Sequence, residues 1–202
     1  MAQISPYKIA VPQAKLDRLK QKLALADFPD ELEDAGWDYG VPLADIKRLT
    51  AYWHNGYDWR KAEAELNETL PQFTVDIQVE GFETLKIHFV HQKSEVKGAI
   101  PLLFAHGWPG SFDEARKIIP DLVKGGKDSP AFHVVVPSLP NFGFSQGTKK
   151  VRNQPSKQTP ATGLLKYYTS WLTMTIPARV YRQTACRSML QIDAGSGLQS
   201  IW

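Results

Sequence analysis

Phe104-Ala105-His106-Gly107-Trp108-Pro109-Gly110-Ser111-Phe112 follows an apolar run, Ala99 to Ala105, and precedes a helix-like run, Asp113 to Val123. A continuous apolar run of that length predicts a strand buried on both faces. The glycines after it permit unusual torsions and close backbone approach, and the proline fixes the turn. An inward-pointing backbone N–H on such a turn can stabilise charge on a substrate oxygen, as one half of an oxyanion hole. His106, Gly107, Trp108 and Pro109 are therefore the candidate active-site turn. His106 is expected to brace it rather than to act as a base.

Downstream, Phe132-His133-Val134-Val135-Val136-Pro137 reads as a second buried strand. With the Asp113–Val123 helix it closes a strand–helix–strand unit with parallel strands. The next stretch, Ser138-Leu139-Pro140-Asn141-Phe142-Gly143-Phe144-Ser145, is then a loop at the carboxyl ends of those strands. Ligands bind at that edge in open α/β sheets. Phe142 and Phe144, with Trp108, would give a pocket there apolar walls.

Upstream, Phe73, Val75, Ile77 and Val79 alternate with polar residues, as do Leu85, Ile87, Phe89 and His91, with Gly81 between the runs. That pattern is a β-hairpin or meander. His88 and His91 are an odd number apart and so face opposite sides, which argues against a shared metal. Helical patterns begin at Val11-Pro12, at Pro42 and at Asp58, and Ile46, Leu49, Tyr52 and Trp53 are expected to face inward. The acidic, aromatic stretch 28–40 between the first two reads as an ordered loop with a solvated rim.

At 202 residues and 43% apolar, the chain can build one ordinary domain with a core. A net charge of +3 gives no argument for a nucleic-acid partner. No apolar run reaches membrane-spanning length, and the start lacks the basic-then-apolar order of a secretory leader. The one cysteine, Cys186, suits a reducing compartment, so a cytoplasmic location is expected. Charge is uneven along the chain. Residues 1–150 hold 18 basic and 20 acidic side chains, whereas 151–202 hold six basic and one acidic, Asp193. All five histidines and all nine phenylalanines precede residue 150. Beyond it only Leu164–Met174 has a helical pattern.

Several separate blocks, in order, resemble microsomal-type epoxide hydrolases of the α/β-hydrolase superfamily. They are Phe28-Pro29-Asp30-Glu31-Leu32, Gly36-Trp37-Asp38-Tyr39-Gly40, Tyr57-Asp58-Trp59-Arg60, Leu70-Pro71-Gln72-Phe73, Ile87-His88-Phe89-Val90-His91, the His106–Phe112 turn and Pro137–Ser145. The resemblance covers about residues 5–150 and looks like a soluble, fungal-like member. It implies an N-terminal helical segment over 1–70, the first half of an α/β-hydrolase core over 71–150, and a divergent tail over 151–202. The expected fold class is thus α/β, incomplete at its C-terminal end.

The resemblance also implies a reaction that needs neither metal nor cofactor. In that family an Asp within Gly-Gly-Asp-Trp-Gly attacks a lipophilic epoxide and forms an alkyl-enzyme ester. Two lid tyrosines assist ring opening, and a His paired with an acid activates water to release the diol. The backbone N–H at Trp108 would serve the second step. This sequence contains no Gly-Gly-Asp-Trp-Gly and no histidine after His133. Tyr167, Tyr168 and Tyr181 lack a lid context. Asp193, in Leu190-Gln191-Ile192-Asp193-Ala194-Gly195, is a weak nucleophile candidate because Gln191 stands where a small residue is needed. Ser196 lies outside any Gly-x-Ser-x-Gly.

The expectation is therefore a truncated, inactive epoxide hydrolase whose tail comes from a shifted frame or a retained intron. Two alternatives stay open. One is a pseudoenzyme or partner-binding module, a homo-oligomer included; the other is a minimal esterase built on Asp193 or Ser196.

Overall fold

The structure, a computed structural model, describes residues 3–78, 83–127 and 129–149, and the backbone of 180–184, 190–193 and 196–200. The chain divides into two compact units. One is Ile9–Asn67, and the other joins Met1–Lys8 to Glu68–Trp202.

The first unit is helical, with α1 (Gln13–Ala24), α2 (Leu43–Asn55) and α3 (Trp59–Thr69). Pro12 and Pro42 occupy the N-cap positions of α1 and α2 at φ −57° and −59°. A proline suits a helix start because it has no N–H to leave unpaired there. The segment leading into α1 is clamped onto α3 by side chains. Asn67 accepts from the Ile9 N–H through Oδ1 (2.8 Å) and donates to the Ile9 carbonyl through Nδ2 (2.9 Å). Glu63 Oε1 accepts from the Val11 N–H at 2.6 Å, and Oε2 takes the Arg60 guanidinium at 2.6 Å. The Val11 N–H, helped by Arg60 and Trp59, holds the Glu63 carboxyl below the usual carboxylate range.

One expectation fails here. Leu49, Tyr52 and Trp53 are 48%, 59% and 50% exposed rather than inward-facing, and α2 buries no residue. With Leu16, Leu19 and Leu23 of α1 they line an open groove of about 910 Å³. Three short helices carry too little apolar surface to close over their own stripes.

The second unit holds one sheet in the order β1-β2-β3-β5-β4-β6-β7-β8. Its strands are β1 (Ile4–Pro6), β2 (Gln72–Ile77), β3 (Leu85–Gln92), β4 (Ile100–Ala105), β5 (Phe132–Pro137), β6 (Val180–Thr184), β7 (Leu190–Asp193) and β8 (Ser196–Ser200). β2 and β3 form the expected hairpin, with Val75 opposite Ile87 and Phe73 opposite Phe89. β4 runs parallel to β5 and to β6, and the remaining pairs are antiparallel. Val75, Ile77, Leu85, Ile87, Phe89, Leu103 and Val135 form the core on one face. The stacked Phe73 and Phe89 rings, 5.7 Å apart, extend it.

β3 departs from simple alternation. It lies between β2 and β5, and between the exposed Lys86 and the half-buried Gln92 both of its faces are buried, so His88 is fully enclosed. The predicted helix from Asp113 to Val123 is broken. A 3-10 turn covers Phe112–Ala115, and α4 runs only over Ile119–Lys124. Pro120 sits in the first turn of α4, and a helix continuous from Asp113 would set its ring against the Arg116 carbonyl. Beyond residue 150, β6 to β8 extend the sheet where the sequence shows no strand periodicity. The expected 164–174 helix lies outside the described residues, as do Val79 and Gly81.

Phe89 is 1% exposed and carries the largest fully enclosed side chain of the core. Phe89→Ala is expected to cost about 3–5 kcal/mol, read as a fall in the urea midpoint at unchanged slope. A loss below about 1 kcal/mol would place the core elsewhere.

Candidate active site

The parallel pairing of β4 and β5 sets Ala105 and Pro137 at the same edge of the sheet, and two loops leave from there. The first is the His106–Ser111 turn. His106, 2% exposed, donates from Nδ1 to the Gly107 carbonyl at 2.9 Å and accepts at Nε2 from the Leu139 N–H at 3.1 Å. An amide N–H can only donate, so the proton of this imidazole sits on Nδ1. His106 braces the turn, as the sequence suggests, and does so by holding the second loop.

The Trp108–Pro109 peptide is cis, and Gly110 closes the turn by donating to the Gly107 carbonyl at 3.0 Å. Ser111 caps the following 3-10 turn, accepting from the Asp113 N–H through its hydroxyl. Among the described residues the Trp108 N–H has no hydrogen-bond partner. The Trp108 side chain is 83% exposed.

The second loop, 138–146, lies along β3. Ser138 N–H donates to the His88 carbonyl at 2.9 Å and Gln146 N–H to the Lys86 carbonyl at 2.8 Å. Asn141 and Gly143 take positive φ, +70° and +51°. Gly143 is required twice over, since a Cβ there would stand 2.7 Å from Ser138 Oγ. The Phe142 ring packs 5.1 Å from the His106 ring. Phe144 turns inward, 5.4 Å from His88 and 6.0 Å from Phe112.

His88 is the group that sequence reasoning missed. It accepts or donates at every polar atom, and its ring is enclosed by Tyr7, Phe112 and Phe144. Burial pushes its pKa down to about 4. His91 is lowered to about 4 as well, by burial first and then by the charges of Lys93 and His133. The two face opposite sides of β3, as their spacing predicts. His91 packs on Phe73, and His133 accepts from the Ser94 N–H at 3.1 Å.

The tail candidates are not gathered here. Asp193 ends β7 opposite Ser196, the first residue of β8, in an antiparallel ladder. Tyr181 lies in β6, and Tyr167 and Tyr168 fall outside the described residues.

A family model described as the epoxide hydrolase N terminus matches residues 4–115, more than half the chain. The chain belongs to the epoxide hydrolase family. A second model, the alpha/beta hydrolase fold, matches 100–173 and so runs past residue 150, where the sequence blocks stop. A Stigmatella aurantiaca protein named "Putative epoxide hydrolase" is 47% identical over 146 residues, covering 70% of this chain and 32% of its own length. Juvenile hormone epoxide hydrolase 2 of Ctenocephalides felis is 40% identical over 149 residues, covering 72% and 31%. The crystal structure of juvenile hormone epoxide hydrolase from the silkworm Bombyx mori superposes at TM-score 0.70 with 28% identity, over 91% of this chain and 47% of that one. The chain thus spans about a third of the length of the curated relatives it matches. Among the described residues no helix is long and apolar enough to cross a membrane.

His88 and His91 titrate near 6.5 in an unfolded chain and near 4 in the fold. The unfolded chain therefore binds the proton first. Their contribution is complete above pH 6.5, declines as pH falls towards 4, and levels off below. Each accounts for at most about 3 kcal/mol. Urea midpoints between pH 7.5 and 4.5 should fall less steeply for His91→Leu than for the parent chain. Equal slopes would contradict the assignment.

Proposed function

We propose that residues 5–150 supply the oxyanion-stabilising part of an epoxide hydrolase that converts a lipophilic epoxide to a vicinal diol. The observation that carries the reading is the braced His106–Pro109 turn at the carboxyl edge of the sheet, with the Trp108 N–H unengaged among the described residues. In the family reaction an Asp carboxylate opens the epoxide and becomes an ester. Water then attacks the ester carbonyl, whose oxygen turns negative as the tetrahedral intermediate forms. The Trp108 N–H donates to that oxygen at that step, and collapse returns the carboxylate and releases the diol. Phe142 and the exposed Trp108 ring supply apolar wall, and Phe144 supports the loop from behind. The names of the flea and silkworm proteins, which act on juvenile hormone epoxides, support a lipophilic substrate.

The 202 residues hold no Gly-Gly-Asp-Trp-Gly and no histidine beyond His133. We infer that these 202 residues by themselves do not complete the reaction, with a cytoplasmic location favoured by the single cysteine.

Two assays test the reading. The purified chain should release no diol from an aryl epoxide above the buffer rate; turnover abolished by Asp193→Asn would instead make Asp193 the nucleophile. Residues 5–150 grafted in place of the matching part of the Ctenocephalides enzyme should retain diol formation. In that chimera Trp108→Pro, which deletes the N–H, should lower kcat by about 10²–10³-fold while ester formation persists. A folded chimera indifferent to Trp108→Pro would overturn the oxyanion assignment.

A further inference from the structure

His88 has the connections of a catalytic base without the access. Its Nδ1 lies 2.9 Å from Ser138 Oγ and its Nε2 lies 3.0 Å from Gln72 Oε1. A hydroxyl, an imidazole and a third orienting group in sequence is the arrangement that activates nucleophiles. Here both His88 and Ser138 are 0% exposed, and the Gly143 backbone closes over the Ser138 hydroxyl. No substrate reaches that oxygen, so the arrangement serves another end.

Gln72 Oε1 can only accept, which puts the His88 proton on Nε2 and leaves Nδ1 to accept from the Ser138 hydroxyl. The same residue's N–H donates to Ser145 Oγ at 2.9 Å, and its carbonyl accepts from the Ser138 N–H at 2.9 Å. Ser145 Oγ in turn donates to the Ser138 carbonyl at 2.7 Å. Both ends of the 138–146 loop are thus fastened to one residue of β3. The ring also meets Phe112, the residue that follows the active-site turn, edge-on at 4.9 Å, and Phe144 of the second loop at 5.4 Å. Tyr7 closes the cage at 5.1 Å. Every one of these contacts lies inside the sheet unit.

We propose that His88 is a second positioning residue of the active-site edge, acting beside His106 to fix the 106–112 turn and the 138–146 loop against each other through one buried, tautomer-locked imidazole. This rests on the reading of that edge as an oxyanion site, but its test needs no turnover. Buried polar groups left unpaired cost more than a made bond contributes, so the loops register the loss first. His88→Phe keeps the ring contacts and deletes the two side-chain hydrogen bonds. His88→Gln restores a side chain able to donate and accept.

Two measurements decide it, both on the 202-residue chain. Long-range ¹H–¹⁵N spectra at pH 7 should show His88 as the Nε2–H tautomer; an Nδ1–H tautomer or an imidazolium overturns the proposal whether or not any variant folds. Amide hydrogen exchange should then separate positioning from general support. In His88→Phe the Gly110, Glu114, Phe142, Ser145 and Gln146 amides should exchange about tenfold faster or more. The β2–β3 ladder amides should stay protected, and His88→Gln should recover part of the loop protection. Uniform acceleration across the sheet, acceleration in one loop only, or no change would each overturn it. An inactive chimera with intact loop protection would instead count against the oxyanion reading alone.

Discussion

The hydrogen bond from the Leu139 N–H to His106 Nε2 is the constraint on which the candidate site depends. β4 and β5 deliver their ends to one edge, but parallel pairing alone leaves two irregular loops free to settle separately. His106 spans them because it follows β4 directly and Leu139 follows β5 by one residue beyond Ser138. Its second nitrogen is spent on Gly107, so the ring cannot turn without losing both partners. The neighbouring residue Ser138 is held by His88 on β3. Two histidines therefore grip adjacent residues of one loop.

Much of this edge was legible in the sequence. The Ala99–Ala105 run, followed by two glycines and a proline, specifies a buried strand that ends in a tight turn. Phe132–Pro137 repeats the apolar run, and alternation in 73–77 and 85–91 fixes the hairpin register by its own period. These are local signals, written in residues adjacent along the chain. They sufficed for the fold class and for the position of the 106–111 turn after β4.

Other features are properties of placement and were not legible. His88 occupies a polar position in an alternating strand, and only its location between β2 and β5, under Phe112 and Phe144, buries it. Its partners Gln72 and Ser138 lie 16 and 50 residues away. Leu49, Tyr52 and Trp53 show the converse, since a helical apolar stripe identifies a face but not whether anything covers it. The break at Pro120 could have been read, because a proline well inside a helical pattern ends or restarts it. Asp193 sits in a short antiparallel ladder, a setting unlike the strand-to-helix turn that exposes a nucleophile.

The most direct test is a through-hydrogen-bond ¹⁵N–¹⁵N coupling between the Leu139 amide nitrogen and His106 Nε2. A resolved coupling, with the Leu139 amide slow to exchange, is the expected result and would show the two loops joined at the edge that carries the candidate site. No coupling, together with Leu139 exchanging as an open amide, would contradict that account and leave the turn at Trp108 without its brace.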